Sequence, residues 1–339
     1  MIQAAIIGLG VISRTHIAAI ESLGNARLIA ACDTEPSKNT LLPAGTAFYT
    51  DYEEMFRREK PDVVHICLPH FLHYRAAQKA AEAGFNIFAE KPLAMNGAEA
   101  AEYVKLEEQY GVKICLCLQN RLNTTSETLR QFLQSGEYGR VTGVRGSVAW
   151  YRSKEYYEAG PWRGLMAQAG GGCMINQAIH TMDLMQYFAG SPIVSVKGTV
   201  GQVLDYGIEV EDTAVGHILF ENGAVGLFTA SVANYTDENV EISVRCEKGE
   251  FVLRDKKLLL RGTGPGDKGE DRILASDSTS FVGKAVYGNS HDELIGKFYR
   301  AVESGGGWYI HPEEGVPSLL MIDAIRESSR TGKTVYFNR

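Results

Sequence analysis

Short apolar runs alternate with amphipathic stretches along the first third of the chain. Apart from Gln3, Ile2–Ile7 is wholly apolar, the pattern of a strand buried on both faces of a parallel sheet. In the stretch from Ser13 to Leu23, Ile17, Ala18 and Ile20 fall at helical spacing. Arg27–Cys32, Ala47–Tyr49, Val63–Leu68, Phe85–Ala89 and Lys113–Leu118 read as further strands. Between them lie a short helix after Asp33, a helix through Glu53, Met55 and Phe56 with Asp51 as its N-cap, and the alanine-rich helix Tyr74–Gly84. Strand and helix in alternation predict a doubly wound parallel sheet. A helix over Asn123–Ser135 follows, and beyond Gly139 the pattern changes. Val141–Tyr151, Val194–Val203, Glu211–Glu221, Ala224–Asn234, Val240–Cys246 and Glu250–Leu253 read as strands joined by turns such as Glu221-Asn222-Gly223. That pattern predicts an antiparallel sheet. The change places a domain boundary between residues 120 and 121, giving domains 1–120 and 121–339. Gly262–Lys268, rich in glycine and charge, reads as loop.

The turn after the first strand is Gly8-Leu9-Gly10-Val11-Ile12-Ser13. Two glycines between a buried strand and a helix let the backbone reverse and approach a pyrophosphate. The free N–H groups from Gly8, Gly10, Val11 and Ile12 into the new helix then hold the anion. Ser13 stands where the common fingerprint has Gly or Ala; it is small enough for close packing, and its hydroxyl is a potential phosphate donor. Asp33 closes the second strand, at the distance where an acidic side chain takes the adenosine ribose hydroxyls. Its charge repels the additional phosphate of NADP, so NAD is the expected cofactor, although Arg14 and Lys38 lie near enough in sequence to serve a phosphate.

Composition sets limits on the class of protein. The chain has 339 residues, enough for two domains with substantial cores, and 45% hydrophobic with 22% charged residues is ordinary for a globular protein. A net charge of -7 argues against general nucleic-acid or anionic-membrane binding. The longest apolar runs are too short to cross a bilayer, and the first strand starts at the N-terminus with no room for a leader. Cys32, Cys67, Cys115, Cys117, Cys173 and Cys246 form no C-x-x-C pair, which suits buried free thiols in a cytoplasmic protein without a metal site.

Ligands in doubly wound sheets bind beyond the carboxyl ends of the strands. Pro69-His70-Phe71-Leu72-His73 occupies such a place, and His73 either lines the nicotinamide side or caps the next helix. Glu90-Lys91-Pro92 occupies another, although from its residues alone Lys91 reads first as a surface lysine before a turn. An ammonium there, beside a substrate hydroxyl, lowers the hydroxyl's pKa and stabilises developing alkoxide. In the second domain, Pro161-Trp162-Arg163-Gly164 precedes Gly170-Gly171-Gly172, and the helix after those glycines is expected to carry Asn176, His180 and Asp183 on one face. The alternative for these three is structural: a cap, a core histidine, and an aspartate paired with a nearby cation. Trp162 and Arg163 suit stacking on a sugar or hydrogen bonding to a carboxylate, or packing beneath the loop.

Gly8-Leu9-Gly10, Pro69 to His73, Glu90-Lys91-Pro92 and the Gly-Gly…His-x-x-Asp pattern ending at Asp183, in this order, resemble the glucose–fructose oxidoreductase/inositol dehydrogenase (Gfo/Idh/MocA) family. The resemblance spans essentially the whole chain. It implies an α/β protein: an N-terminal Rossmann domain plus a C-terminal α/β domain with a large, mostly antiparallel open sheet. It also implies an NAD-dependent dehydrogenase acting on a secondary hydroxyl of a sugar, sugar acid or cyclitol. Lys91 matches the family lysine that contacts the reacting hydroxyl and nicotinamide ribose, and His180 matches the catalytic histidine.

The inositol dehydrogenase branch has Asp four residues before that histidine, where this chain has Asn176. Some sugar dehydrogenases of the family, including ones resembling UDP-N-acetylglucosaminuronate 3-dehydrogenases, carry Asn-Gln there, so Asn176 is expected to bind substrate. Asn120, at the passage between domains, joins Asn176, Trp162 and Arg163 in the expected substrate set. The expected cofactor set is Gly8, Gly10, Val11, Ile12, Asp33, Pro69, His73, Glu90 and Lys91. Tyr287-Gly288-Asn289-Ser290-His291, before a helix from Asp292 to Val302, matches a frequent family histidine at His291. Two rival activities stand beside the dehydrogenase: an NADP-linked keto-sugar reductase and a non-catalytic dinucleotide-binding regulator. The resemblance also implies a homodimer or homotetramer paired through the C-terminal sheet.

Overall fold

The computed structural model describes residues 1–262, 270–277 and 290–337. Most of the expected 262–268 loop, and Tyr287 to Asn289, lie outside the described residues. The chain divides into two units, Met1–Gln119 with Thr279–Val316 and Asn120–Ser278 with Pro317–Arg339.

The first unit holds β1 (Ile2–Ile7), β2 (Ala26–Cys32), β3 (Ala47–Tyr49), β4 (Val63–Ile66), β5 (Asn86–Ala89) and β6 (Ile114–Leu116). They form one parallel sheet in the order β3-β2-β1-β4-β5-β6. The order reverses between β1 and β4, and that switch opens a crevice beyond the strand ends. The intervening helices are α1 (Ser13–Ser22), α2 (Tyr52–Arg58), α3 (His73–Glu82) and α4 (Gly97–Tyr110). Asp51 caps α2 as expected, its Oδ1 accepting the Glu53 N–H at 2.8 Å. All four residues of β4 are fully buried, as a central parallel strand requires, although one of them is His65.

In the second unit α5 (Thr124–Ser135) leads to β7 (Val141–Ala149). The short helices α6 (Lys154–Glu158), α7 (Met166–Ala169) and α8 (Cys173–Asn176) and the longer α9 (Ile179–Ala189) follow. The remaining strands are β8 (Ile193–Gly201), β9 (Thr213–Phe220), β10 (Val225–Ser231), β11 (Glu241–Cys246), β12 (Gly249–Arg254), β13 (Lys257–Arg261), β14 (Arg272–Ser276) and β15 (Val335–Tyr336). With β7 they make a nine-stranded sheet in the order β14-β13-β12-β11-β7-β10-β9-β8-β15. Only the β7–β10 pair is parallel. Along β9 and β10 burial alternates, with Ala214, Gly216, Ile218, Gly226, Phe228 and Ala230 covered and Val215, His217, Leu227 and Thr229 open. α9 crosses the covered face so closely that a Cβ on Gly146 would lie 2.4 Å from Met185 Sδ. Among the described residues, α10 (His291–Ser304), which packs against α1, and α11 (Val316–Thr331) lie between β14 and β15.

The sequence pattern did not anticipate β13 to β15. The turn into β13 places Asp255 and Lys256 at φ 51° and 57°, a tight hairpin turn made without the Asn-Gly or Gly-Gly pairs that advertise one. The expected single helix after the glycine triplet is also two. Gln177 and Ala178 both donate to the Cys173 carbonyl, at 3.2 and 2.9 Å, which closes α8 before α9 begins.

Candidate active site

The glycine turn of the first unit has two different glycines. Gly8 sits at φ +90°, and a Cβ there would lie 2.4 Å from the Cys67 carbonyl oxygen, so only glycine fits. A Cβ on Gly10 meets no atom within 4 Å: the turn leaves open space on the side where a pyrophosphate would lie. Val11 is half exposed, Ile12 is the residue before α1, and the first turn of α1 carries no acidic side chain to oppose an anion. Ser13 is buried and its hydroxyl donates to the Gly10 carbonyl at 2.7 Å, so it braces the turn instead of pointing at a phosphate. Asp33 lies at the end of β2, where its Oδ2 accepts the Leu9 N–H at 2.7 Å and takes Lys38 Nζ at 3.2 Å. This cradle fits a dinucleotide: tight turn, open approach, unopposed helix N-terminus and an acidic side chain at the end of β2.

Pro69 precedes a short 3-10 turn, and His73 opens α3. The His73 side chain is not a cap. Its Nδ1 and Nε2 each lie 2.8 Å from a backbone carbonyl, of Pro92 and Leu68, so it ties two strand-end loops together. Burial pulls its pKa below the ordinary imidazole value against those two carbonyls, and the neutral ring donates to one of them.

Glu90 is buried at the end of β5. Its Oε1 takes His16 Nε2 at 2.9 Å and lies 3.5 Å from His291 Nε2, while Oε2 accepts the Lys91 N–H at 3.2 Å. Burial alone would raise its pKa. The hydrogen bonds from His16 and His291 outweigh that and hold the carboxyl well below the ordinary carboxylate range. Lys91, half-buried, follows at once, joined to Pro92 by a cis peptide bond. Burial pulls its amine below the ordinary lysine value, and Glu90 opposes that pull. His16, Glu90, Cys117 and His291 offer ligand atoms within 4.8 Å of one another; the hydrogen bonds converging on Glu90 account for this closeness.

In the second unit the glycine triplet is pinned by a carboxylate and a guanidinium. Glu211 Oε1 accepts from Gly172 N at 3.0 Å and Met174 N at 3.4 Å, and Arg326 donates to the Gly170 carbonyl at 2.5 Å and to Glu211 at 3.3 Å. That loop delivers the half-buried Asn176, whose Nδ2 donates to the Tyr156 hydroxyl at 3.2 Å. Gln177 Nε2 donates to the same hydroxyl at 3.1 Å. Arg163 stacks over Tyr156 and Trp162, with its guanidinium carbon 4.7 and 5.3 Å from the ring centres. Asn120 Oδ1 is buried with no hydrogen-bond partner among the described residues. Such an acceptor costs about 1–3 kcal/mol until a donor such as a ligand hydroxyl meets it.

The polar face expected on one helix is not one face. Asn176 ends α8, the half-buried His180 belongs to α9, and Asp183 is fully turned inward to Arg121. The shared face rested on a continuous helical register, which the break at Gln177-Ala178 removes, and the alternative reading of Asp183, as the partner of a nearby cation, is the one the structure shows.

Residues 2–117 match the family described as oxidoreductase family, NAD-binding Rossmann fold, and residues 126–252 match the GFO/IDH/MocA C-terminal domain. The chain belongs to the Gfo/Idh/MocA oxidoreductase family. It is similar to the D-glucoside 3-dehydrogenase of Escherichia coli, with 25% identity over 98% of this chain and 97% of that one. It is also similar to the myo-inositol 2-dehydrogenase of Thermotoga maritima, with 22% identity over 97% of each. Among solved structures, the WlbA dehydrogenase of Bordetella pertussis in complex with NADH and UDP-GlcNAcA matches at a TM-score of 0.85 and 27% identity, over 100% of this chain and 99% of that one.

As a Gfo/Idh/MocA oxidoreductase the chain is an NAD-binding enzyme, and its first unit supplies the Rossmann domain. Among the described residues no helix is long and apolar enough to cross a membrane. Sequence reasoning passed over the buried His16 and His65, and over Tyr156. His16 and His65 stand in stretches that read as helix and apolar strand. Tyr156 lies 20 residues from Asn176, a distance only folding closes.

Proposed function

We propose that this enzyme oxidises a secondary hydroxyl of a sugar, sugar acid or cyclitol. The observation that carries the reading is the half-buried Lys91, set directly beyond β5 of an NAD-binding sheet and backed by the buried Glu90 carboxylate. NAD, when bound, supplies the hydride acceptor. The turn of Gly8, Gly10, Val11 and Ile12 would hold its pyrophosphate and Asp33 its ribose, and Pro69, His73, Glu90 and Lys91 shape the strand-end loops beside it. The Lys91 ammonium donates a hydrogen bond to the reacting hydroxyl oxygen and stabilises developing alkoxide. His180 takes the hydroxyl proton as general base. Asn176, Asn120, Trp162 and Arg163 bind the sugar, and the orphaned Asn120 acceptor and the Arg163 stack support that assignment. The names of relatives point the same way: one acts on D-glucosides and one on myo-inositol.

The test is reduction of NAD and NADP at 340 nm across glucosides, uronates, UDP-sugars and cyclitols, with Lys91→Ala alongside. Turnover with NAD that disappears in Lys91→Ala supports the reading. Turnover preserved in Lys91→Ala, or none with any of these classes, refutes it. Asp33→Ala is expected to move the kcat/KM ratio toward NADP by roughly tenfold, about 1.4 kcal/mol, because it removes the repelling charge and one of the two carboxylates that hold Lys38. We also propose that a second copy pairs on the open face of the nine-stranded sheet. Exposed Val215 and Leu227 there support it, and light scattering of the purified enzyme tests it.

A further inference from the structure

Two guanidinium groups of the second unit stand over the ring of Tyr156. The guanidinium carbon of Arg163 lies 4.7 Å from the ring centre and that of Arg152 5.6 Å. Each arginine also covers a tryptophan, Arg152 over Trp150 at 4.9 Å and Arg163 over Trp162 at 5.3 Å, and all five side chains are half-buried. The two cations are not equivalent. Arg152 Nη1 lies 3.1 Å from the Asp237 carboxylate, so its charge is met within the protein. Arg163 Nη1 donates to the Tyr156 carbonyl at 3.2 Å, and among the described residues no carboxylate lies within 4 Å of its nitrogens. A guanidinium has five N–H donors in a planar fork, and that carbonyl takes only one of them. Gly160 leaves room for the fork, since a Cβ there would overlap Nη1. The phenol adds a donor. Its oxygen accepts from Asn176 at 3.2 Å and from Gln177 at 3.1 Å, which uses both lone pairs and leaves its own O–H for a further acceptor.

We propose that Arg163 selects the charge of the substrate: the sugar that meets Asn176 carries an anionic group, carboxylate or phosphoryl, and the Arg163 fork holds it beside the Tyr156 ring. The inference deepens the dehydrogenase reading, on which it rests for calling the ligand a substrate, and narrows that reading to anionic sugars. A half-buried cation is disfavoured until an opposite charge meets it, and a planar fork suits two oxygens of one anion. Arg152 already has that charge in Asp237; Arg163 takes it from the ligand. Arg163 and the two amides meet one and the same aromatic ring, so the anion and the hydroxyl-binding amides stand about as far apart as the two ends of one sugar. A neutral glycoside or cyclitol has no oxygen anion to give the fork.

The test is calorimetric titration of the full-length enzyme saturated with NADH, in which a sugar binds without being oxidised. Methyl glucuronide, glucose 6-phosphate and UDP-glucose are each compared with methyl glucoside. At least one of the three anions is expected to bind about tenfold or more tighter than methyl glucoside, the worth of one charge-assisted pair. Which anion it is tells a sugar carboxylate from a phosphate monoester or a diphosphate. The preference should shrink between roughly 50 and 500 mM salt, as screening of a half-exposed ion pair requires. Arg163→Met should erase it. Should Arg163→Met not fold, Gly160→Ala decides, because it keeps the charge and displaces the fork: loss of the preference there supports the proposal and its survival overturns it. Methyl glucoside bound as tightly as every anion, no anion bound at all, or a preference that survives Arg163→Met overturns the proposal. So does an equal fall of all four affinities in Arg163→Met, the mark of a merely structural arginine. Anions bound through Arg163 with no sugar reducing NAD would sink the dehydrogenase reading alone, and turnover confined to neutral glycosides or cyclitols would sink this one alone.

Discussion

Arg121 grips Asp183 through two parallel hydrogen bonds, Nε to Oδ2 at 2.9 Å and Nη2 to Oδ1 at 2.6 Å, with both side chains buried. The pair ties the 3-10 turn at the start of the second unit to α9, the helix that presents His180. Removing one partner strands a buried charge. Arg121→Met should therefore lose about 3–5 kcal/mol of unfolding free energy in urea melts. Arg121→Met with Asp183→Leu should recover most of that, since an apolar pair needs no desolvation. Equal loss in single and double variants would show that the site tolerates no apolar pair.

The two glycines of the nucleotide turn should separate under mutation. Gly8→Ala brings a Cβ against the Cys67 carbonyl at positive φ, so it should lower both the melting temperature and NAD affinity, the strain costing about 1–3 kcal/mol. Gly10→Ala meets no protein atom and should melt like wild type. If the open space is where the pyrophosphate lies, its NAD Kd should nevertheless rise by roughly tenfold, about 1.4 kcal/mol, in calorimetric titration.

Tyr156 holds two neighbouring amides through one hydroxyl oxygen. Tyr156→Phe leaves the ring under Arg163 but removes the acceptor that Asn176 and Gln177 share. KM for the sugar should rise about fivefold, the worth of one hydrogen bond of about 1 kcal/mol, while NAD affinity stays at the wild-type value. A change confined to NAD affinity would place Tyr156 outside the substrate set.

Stability should fall on acidification before any ordinary carboxylate titrates. Burial depresses His16, His65 and His73 in the folded state, so below pH about 6.5 the unfolded chain binds more protons than the native one. Each such histidine contributes a slope of about 1.4 kcal/mol per pH unit from there down toward its folded pKa. Glu90 acts lower. Its folded pKa is depressed, so its contribution is complete above the ordinary glutamate value and is lost as pH falls below it. Urea melts at pH 7 and pH 5.5 measure the histidine part, and His65→Gln should flatten the slope between them. An unchanged slope would show that His65 already carries a proton in the native state.

Much of this molecule was legible in one dimension. Parallel strands buried on both faces have to be apolar, so β1, β2, β4 and β5 stand out, as do the glycines between β1 and α1 and the Asp33 that ends β2. Turn and strand-end chemistry is local, and local chemistry is written in neighbouring residues. Lys91 was singled out by the order of motifs along the chain, since its own loop reads equally as a surface turn.

What the tertiary structure decided is contact between residues far apart in the chain. His16, His65, His291 and Tyr299, from two helices and one strand, gather behind the single carboxylate of Glu90, yet each reads separately as a polar residue in a helix or strand. Asp183 read either as a member of a polar helix face or as the partner of a nearby cation; folding decides for the second and supplies the cation, Arg121, 62 residues away. Asn176 and His180 looked one turn apart on a single helix. The carbonyl of Cys173 accepts twice, the helix closes, and they part. Periodicity carries the phase of an element while its backbone stays regular; it does not carry the break, nor the partner that burial demands for a charge.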